Sequence, residues 1–226
     1  MITAIILAHY KEREKNLSII VDQLLAGSVK PSQIVIFIDN PEIKYQDDRA
    51  TIVTSTTSFL PKIRFALGSY FDTKYCFFID DDLVVKPRTL ENFMDYASEN
   101  KILGLEGSIL GNTPNPYADD ECINRGQFKV PGEVDIIIRT YFVPTKLITA
   151  GLRLQAMYPE LPRVSLDDVY LCLGNKYLNN KKNIVIPVEG DSNLGELFDG
   201  GVGQSREGIH YENRNKVCRF LMDRYE

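Results

Sequence analysis

The sequence Tyr75-Cys-Phe-Phe-Ile-Asp80-Asp81-Asp82-Leu-Val-Val85 joins an apolar run, three consecutive carboxylates and a second apolar run. The first run predicts a buried β-strand that ends at the charges. Three like charges at one strand end repel each other and lose hydration, so we expect a divalent cation or a cationic ligand opposite them. We call Asp80, Asp81 and Asp82 the aspartate triplet. The alternative is a structural corner in which Asp82 caps a helix.

The residues before the triplet alternate between strand and helix patterns with short connections. The predicted elements are strands at 2–8, 33–38, 50–54 and 74–79 and helices at 14–26 and 59–71. This alternation predicts an α/β fold with a mostly parallel central sheet and helices on both faces. Because ligands bind at the carboxyl ends of parallel strands, we expect the pairs His9-Tyr10 and Asp39-Asn40 beside the triplet.

The second half of the chain follows a different pattern. Its predicted elements are a helix at 90–97, strands at 102–107, 134–143 and 183–187, helices starting near Thr145 and Ser165, and a terminal helix at 210–225. The stretch 109–132 is rich in Gly, Pro, Asn and Asp, which favours a binding loop, a lid or a disordered segment.

Length, composition and charge narrow the class of protein. The 226 residues fit one domain, 1–226, and their 44% hydrophobic and 25% charged content is typical of a globular chain. A formal charge of -5 argues against a nucleic-acid or anionic-membrane surface. The run 2–8 is too short to span a bilayer and lacks a cleavage site. We therefore expect a cytoplasmic or soluble chain without signal or transmembrane segment, which could be part of a longer polypeptide.

Two polar segments late in the chain are further candidates. Asp167 and Asp168 follow Ser165 in a pattern typical of a helix start, and capping alone would explain one of the two aspartates. The run Gly200-Gly201-Val-Gly203 is no phosphate loop, because no strand precedes it and the lysine of that motif is missing. It predicts a mobile segment that orders over a ligand and leads to Arg206, His210 and Arg214.

Sugar transfer from a nucleoside diphosphate would use the triplet. The reaction needs oxygen ligands for Mn²⁺ or Mg²⁺, because the cation bridges both phosphates and neutralises the leaving group. Asp80 and Asp82 are the candidate ligands, with Asp82 favoured for the metal and Asp80 for the donor or a metal-bound water. Asp81, turned the other way, is a weaker candidate for donor binding. A further carboxylate, Asp168 or Asp167, could activate the acceptor or stabilise the transition state.

The nucleoside and its phosphates need flat and cationic partners. Tyr10 could stack on the base, and Asp39 or Asn40 could bind hydroxyls or base edges. The candidate phosphate partners are Arg13, Lys62, Arg64 and Arg214. His210, four residues before Arg214 on one helical face, is a candidate for diphosphate or metal contact.

The order of these motifs resembles the GT-A nucleotide-sugar glycosyltransferases, whose DxD motif follows an apolar strand as Phe78-Ile79-Asp80-Asp81-Asp82 does. It is most similar to the exostosin-like family. The matching segments are Tyr10-Lys-Glu-Arg13, Lys62-Ile-Arg64, Asp167-Asp168 and His210-Tyr-Glu-Asn-Arg214. The resemblance implies a UDP-sugar donor, Mn²⁺ and a carbohydrate or glycoconjugate acceptor. It favours Asp168 beside the donor sugar and places the His-x-x-x-Arg segment at the diphosphate.

The resemblance also implies two functional halves, a nucleotide-sugar-binding half at 1–107 and an acceptor and catalytic half at 108–226. One position departs from the family pattern, because Leu166 stands where a cysteine precedes the late aspartates. A disulfide to Cys218 is therefore not expected. The alternatives are a sugar-1-phosphate nucleotidyltransferase, which normally has a Gly-rich loop after the first strand, and a non-catalytic carbohydrate- or metal-binding domain on the same scaffold.

Overall fold

The computed structural model describes residues 1–59, 63–163, 166–202 and 209–226. Its strands are β1 (Ile2–Ala8), β2 (Gln33–Ile38), β3 (Thr51–Thr54), β4 (Tyr75–Asp80), β5 (Leu83–Val85), β6 (Lys101–Gly104), β7 (Gly107–Ile109), β8 (Glu121–Ile123), β9 (Gly132–Val134), β10 (Ile136–Ile137), β11 (Thr140–Pro144), β12 (Lys182–Val185) and β13 (Leu194–Glu196). Its α-helices are α1 (Asn16–Ala26), α2 (Ile63–Gly68), α3 (Thr89–Asp95), α4 (Thr149–Met157), α5 (Asp167–Asn179) and α6 (Ile209–Tyr225).

The central sheet has the strand order β3-β2-β1-β4-β11-β6-β12-β9. Strand β1 pairs in parallel with β2 and β4, β2 with β3, and β6 with β12. Strand β11 lies antiparallel between β4 and β6, and β9 is antiparallel at one edge. The predicted mostly parallel α/β sheet is confirmed.

Helices cover both faces of this sheet. Alternate residues of the central strands enter two separate hydrophobic clusters, because successive side chains of a strand point to opposite faces. Ile5 and Phe78 pack with residues of α4, α5 and α6. Ile6 and Phe77 pack on the other face with residues of α1 and α3. Burial on both faces explains why these strands are continuous apolar runs.

The register of the parallel strands fixes the position of the polar segments. Ala8 is paired with Ile38 across β1 and β2, and Leu7 is paired with Asp80 across β1 and β4. The three strands therefore end at the same edge of the sheet, so the residues that follow them are neighbours in space.

Two strand predictions for the second half are wrong. The apolar run 134–143 forms parts of three strands, because Arg139 has a φ of 64° and β10 and β11 pair with different partners. The predicted strand 102–107 is divided between β6 and β7, with Glu106 in the bend between them. Helix α2 is also shorter than the predicted helix 59–71, of which 60–62 lie outside the described residues.

The cysteines agree with the expectation of no disulfide. All four are free, and Cys218 is buried in the core. None of the helices in the described part of the chain has both the length and the apolar character that crossing a membrane requires.

Candidate functional site

The aspartate triplet lies at the carboxyl end of β4. Asp80 is the last residue of that strand, and β5 begins directly after Asp82, at Leu83. The helix-cap alternative for Asp82 is therefore wrong. Strand β5 pairs with β13, so the triplet sits in a turn between the central sheet and a small two-stranded sheet.

Arg13 organises one side of the triplet. Its Nη1 donates to Asp81 Oδ1 at 2.7 Å and lies 3.2 Å from Asp82 Oδ2. Both Arg13 and Asp81 are buried. Burial opposes the charge on Arg13, but Asp81, Asp82 and Asp80 outweigh it and raise the pKa of the guanidinium. Burial is also the main reason that the pKa of Asp81 is raised, and Arg13 opposes that rise.

Asp82 carries an unsatisfied oxygen. No hydrogen-bond donor among the described residues reaches Asp82 Oδ1, which is buried. Arg139 Nη2 lies 3.5 Å from this oxygen. An acceptor without a donor inside a protein is costly, so this oxygen is available to a cation or to a ligand that donates a hydrogen bond.

Arg64 connects the triplet to the late aspartates. Its Nη1 donates to Asp80 Oδ1, and its Nε and Nη2 lie 2.8 and 2.7 Å from Asp167 Oδ2. Asp80 is the most exposed carboxylate of this group, with 31% of its side chain accessible. Desolvation raises the pKa of Asp80 to about 6; Arg64 opposes this shift and Asp82 adds to it.

Arg214 holds the second late aspartate. Its Nη2 lies 2.7 Å from both oxygens of Asp168, and Asp168 Oδ1 also accepts the Val169 backbone N–H at 2.9 Å. Asp167 and Asp168 form the first turn of α5, as predicted, and both are buried. Burial opposes the charge on Arg214, but Asp168 raises its pKa.

Arg214 also has hydrogen-bond donors that no described residue accepts. Its Nε and Nη1 are buried without a hydrogen-bond partner in the described parts of the chain. The guanidinium lies over the ring of Tyr117 at 4.6 Å from the centroid. A buried guanidinium with unused donors is a suitable partner for a phosphate oxygen.

His210 lies in the first turn of α6, near Arg214. Burial and the positive charge of Arg214 lower its pKa to about 4, although Asp167 acts in the opposite direction. The imidazole is therefore neutral at pH 7. Its Nδ1 is buried without a hydrogen-bond partner among the described residues.

The loop 109–132 is packed against α6 and contains β8. Asn215 Oδ1 accepts the backbone N–H groups of Tyr117 and Ala118, each at 2.9 Å. The Tyr117 ring contacts the rings of His210 and Tyr211 at centroid distances of 6.4 and 5.9 Å. This loop thereby brings an aromatic side chain beside Arg214.

The segment that includes Gly200 and Gly201 also contacts the triplet and Arg13. Leu197 N–H donates to Asp82 O at 2.7 Å, and Arg13 donates to the carbonyls of Asp199 and Val202. Gly200 and Gly201 both have a φ of 69°, which glycine adopts without strain. Gly203 and Arg206 lie outside the described residues, as do Lys62 and Ser165.

The ends of β1 and β2 meet as the register requires. Asn40 Nδ2 donates to His9 O at 2.9 Å, and His9 Nδ1 lies 3.4 Å from Asp39 Oδ2. Asp39 also accepts the Phe59 backbone N–H at 2.6 Å. The Tyr10 ring stacks against the Arg13 guanidinium at 4.8 Å. These residues are close to the triplet, and their roles in nucleoside binding stay predictions.

Four charged residues that the sequence did not single out form a network of ion pairs, which reaches the triplet through Arg139 and Asp82. Arg139 Nη2 is 2.7 Å from Glu196 Oε2, and Arg125 Nε is 2.7 Å from Glu106 Oε1. Arg125 Nη2 also donates to Glu196 Oε1. Each is an isolated charge in the sequence. Only Glu106 carried a usable signal, because it stands at the carboxyl end of a predicted strand.

A resident cation was predicted for the triplet. In the described ranges, no group of three or more His, Cys, Asp or Glu side chains is arranged to hold a metal ion. Asp82 Oδ1 nevertheless lacks a donor, and Asp80 is partly exposed. Mg²⁺-type sites often use one or two carboxylates and take their other ligands from substrate phosphates and water. The residues present fit a cation that binds together with a phosphate ligand.

No protein-family profile and no curated protein matches the chain. Among solved structures, S. aureus TarS 1-349 in complex with UDP-GlcNAc aligns with a TM-score of 0.61 and 16% identity, over 97% of this chain and 65% of TarS. A second S. aureus TarS structure aligns with a TM-score of 0.57 and 14% identity, over 97% of this chain and 38% of the other. The chain thus spans less than two thirds of either TarS chain. At these identities the likeness shows the fold alone, and it confirms the predicted GT-A type of α/β fold.

Proposed function

We propose that the protein is a metal-dependent glycosyltransferase that moves a sugar from a UDP-sugar donor to a carbohydrate or glycoconjugate acceptor. One observation carries this proposal. Arg64 bridges Asp80 and Asp167. Among the described residues, Asp82 Oδ1 beside Asp80 lacks a donor, and Arg214 Nε and Nη1 beside Asp168 lack acceptors. The similarity of the fold to that of S. aureus TarS, which was crystallised in complex with UDP-GlcNAc, supports the proposal.

Asp82 and Asp80 hold the cation in this proposal. Asp82 supplies its unsatisfied Oδ1, and Asp80 supplies a partly exposed carboxylate that Arg64 keeps in place. When bound, Mn²⁺ or Mg²⁺ neutralises the charge that develops on the leaving diphosphate. Asp81 stays paired with Arg13, which fixes the backbone of the triplet.

Arg214 and His210 face the diphosphate. Arg214 donates from Nε and Nη1, which have no acceptor in the described chain. A neutral His210 donates one hydrogen bond without adding charge, which leaves Arg214 as the cation at this end of the site. Lys62 remains a further candidate phosphate partner.

Asp168 is the carboxylate placed to act on the reacting sugar. Arg214 contacts both of its oxygens, so the side chain is held in one orientation. Such preorganisation lowers the cost of reaching the transition state. Asp167 stays bound to Arg64 and serves to position the triplet.

The nucleoside lies at the ends of β1 and β2 in this proposal. Tyr10 offers an aromatic face, and Asp39 and Asn40 offer acceptors and donors for the ribose or the base. We assign residues 1–107 to binding of the nucleotide sugar and 108–226 to the acceptor and to catalysis, with Arg214 and His210 of the second half reaching the diphosphate. The exostosin-like resemblance of the motifs supports UDP as the nucleotide.

The test is donor hydrolysis and transfer with a panel of UDP-, GDP- and CMP-sugars, with Mn²⁺ or with EDTA. We expect turnover of a UDP-sugar that requires the cation. Asp82→Asn, which preserves side-chain volume, should lower that turnover about 100-fold, because it removes a charged metal ligand. Asp22→Asn is the matched control, since Asp22 is an exposed carboxylate that pairs with the exposed Arg49.

Three results would contradict the proposal. Turnover that persists in EDTA at the same rate excludes a role for the cation. Conversion of a nucleoside triphosphate and a sugar phosphate, without sugar transfer, favours the nucleotidyltransferase alternative. Sugar or metal binding without turnover of any donor favours the non-catalytic domain.

A further inference from the structure

Glu106 is a buried carboxylate with one unused oxygen. The residue is 8% exposed, and its Oε1 accepts the Arg125 Nε–H at 2.7 Å. No hydrogen-bond donor in the described chain reaches Oε2. Arg139 Nη1 lies 3.9 Å from this oxygen. A buried carboxylate oxygen without a donor is destabilising, so its persistence needs an explanation.

Arg139 connects Glu106 to the triplet. Its guanidinium also lies 3.5 Å from Asp82 Oδ1, the other unsatisfied carboxylate oxygen at this edge. Arg139 keeps its shortest ion pair, 2.7 Å, with Glu196. The Arg139 guanidinium thus lies near two carboxylate oxygens, Glu106 Oε2 and Asp82 Oδ1, that have no hydrogen-bond donor among the described residues.

The backbone of Arg139 gives an independent indication that this place is functional. Arg139 has a φ of 64°, and Thr140 N–H donates to Ile138 O at 2.7 Å across it. This is a three-residue turn of the rare γ type with positive φ, which is strained for a residue other than glycine. Such strain is concentrated at binding and catalytic sites.

The missing partner must offer donors to Glu106 and an acceptor to Arg139. A sugar hydroxyl does both, because its oxygen donates one hydrogen bond and accepts two. Adjacent hydroxyls of a hexose present this combination twice. A phosphate fits poorly, because it would place its negative charge against Glu106 and Asp82.

We propose that Glu106 and Arg139 bind hydroxyls of the donor sugar and so determine which nucleotide sugar is used. This inference rests on the proposed function. The donor sugar is favoured over the acceptor because Arg139 also borders Asp82, the proposed cation ligand, and the sugar is covalently attached to the diphosphate that the cation binds.

The experiment compares the affinities of UDP, UDP-GlcNAc, UDP-glucose and UDP-galactose by calorimetry in the presence of Mn²⁺. In Glu106→Gln, Oε1 still accepts from Arg125, but an amide NH₂ replaces the unsatisfied oxygen. The sugar that the wild type prefers should bind about tenfold more weakly to this variant, the effect expected for one lost charge-assisted hydrogen bond. The affinity for UDP should change less than twofold. Glu133→Gln is the control, because Glu133 is an exposed carboxylate on the edge strand β9 and pairs with the exposed Lys182.

Arg139→Lys gives a second variant in case the first fails to fold. Lysine keeps the positive charge but lacks the paired N–H donors of the planar guanidinium. The affinity for the preferred UDP-sugar should therefore again fall relative to the affinity for UDP. Equal changes for UDP and UDP-sugar, or no change for either, would overturn the sugar assignment while leaving the proposed function intact. A changed acceptor KM with unchanged donor affinity would also overturn it. Absence of UDP binding by the wild type would overturn the proposed function and this inference together.

Discussion

The aspartate triplet and the late pair, Asp167 and Asp168, are both carboxylate clusters bound by arginines, but they differ in which hydrogen-bonding groups remain without partners. At the triplet, acceptors outnumber donors, since Asp82 Oδ1 has no donor within the described residues. Burial and neighbouring carboxylates also raise the pKa of Asp80 to about 6. At the late pair, donors are in excess, since Arg214 has two nitrogens without acceptors in the same part of the chain.

This difference indicates the kind of ligand that the site binds. One end needs positive charge and the other needs an acceptor, while Arg64 holds the two ends together through Asp80 and Asp167. A divalent cation bound to a diphosphate supplies both at once. Neither the cation nor the anion alone would satisfy both ends, so we expect the two to bind cooperatively.

The largest expected effect comes from the late pair. Asp168→Asn removes the carboxylate that we place at the reacting sugar, and should lower the rate of transfer about a thousandfold, within the range of lost acid–base groups. The affinity for UDP should change little, because Arg214 keeps its two free nitrogens. Steady-state transfer and calorimetry measure the two effects separately.

Asp223→Asn is the control for this variant, since Asp223 forms an exposed pair with Arg219 near the end of α6. Transfer by Asp168→Asn within tenfold of the wild type would show that Asp168 is not the reacting carboxylate. An equal loss in Asp167→Asn would instead point to positioning of the whole pair.

The next effect tests the connection between the two clusters. Arg64→Met leaves Asp167 buried without a counter-ion among the described residues, and breaking buried ion pairs costs about 3–5 kcal/mol. We expect about 3 kcal/mol in the free energy of unfolding, measured in urea, because the other partner, Asp80, is partly exposed. The double variant Arg64→Met/Asp167→Asn should recover part of this loss.

Arg49→Met is the matched control, because Arg49 forms two ion pairs at an exposed site. It should destabilise the protein far less than Arg64→Met. Similar losses for the two variants would mean that Arg64 does not hold the clusters together.

A smaller effect concerns protonation of His210. Its pKa of about 4 lies below the ordinary value of 6.5. Between these two values the unfolded chain binds a proton that the folded chain does not, so stability falls as the pH drops from 6.5 towards 4. His210→Gln should remove this component of the acid destabilisation.

NMR titration measures this pKa directly, because the chain has only one other histidine, His9. UDP should raise the pKa of His210, since a nearby diphosphate favours the imidazolium. A His210 that titrates near 6.5, or one that UDP does not affect, would separate it from the proposed diphosphate site.

Much of the donor half could be predicted from the sequence. The strands β1, β2 and β4 are continuous apolar runs, and parallel pairing alone brings the residues after Ala8, Ile38 and Ile79 to one edge. The late pair was also placed at a helix start by its local pattern. These features depend on short-range periodicity, which a single sequence displays.

The positions of Arg139 and Glu106 could not be predicted in the same way. Arg139 interrupts a run of apolar residues, and nothing in that run signals a positive φ or a change of strand partner. Glu106 was placed inside a strand, so its position in a bend beside Arg125 was missed. Contacts between isolated charges that are far apart in sequence depend on the complete fold.

The most direct test of the account is the affinity for UDP at pH 7.5, measured by calorimetry with Mn²⁺ and with EDTA. At this pH Asp80, with a pKa of about 6, is ionised and ready for the cation. The account predicts UDP binding at least about tenfold tighter with Mn²⁺, a coupling of about 1.4 kcal/mol, and a smaller difference at pH 5.5. Equal affinity for UDP with Mn²⁺ and with EDTA would contradict it.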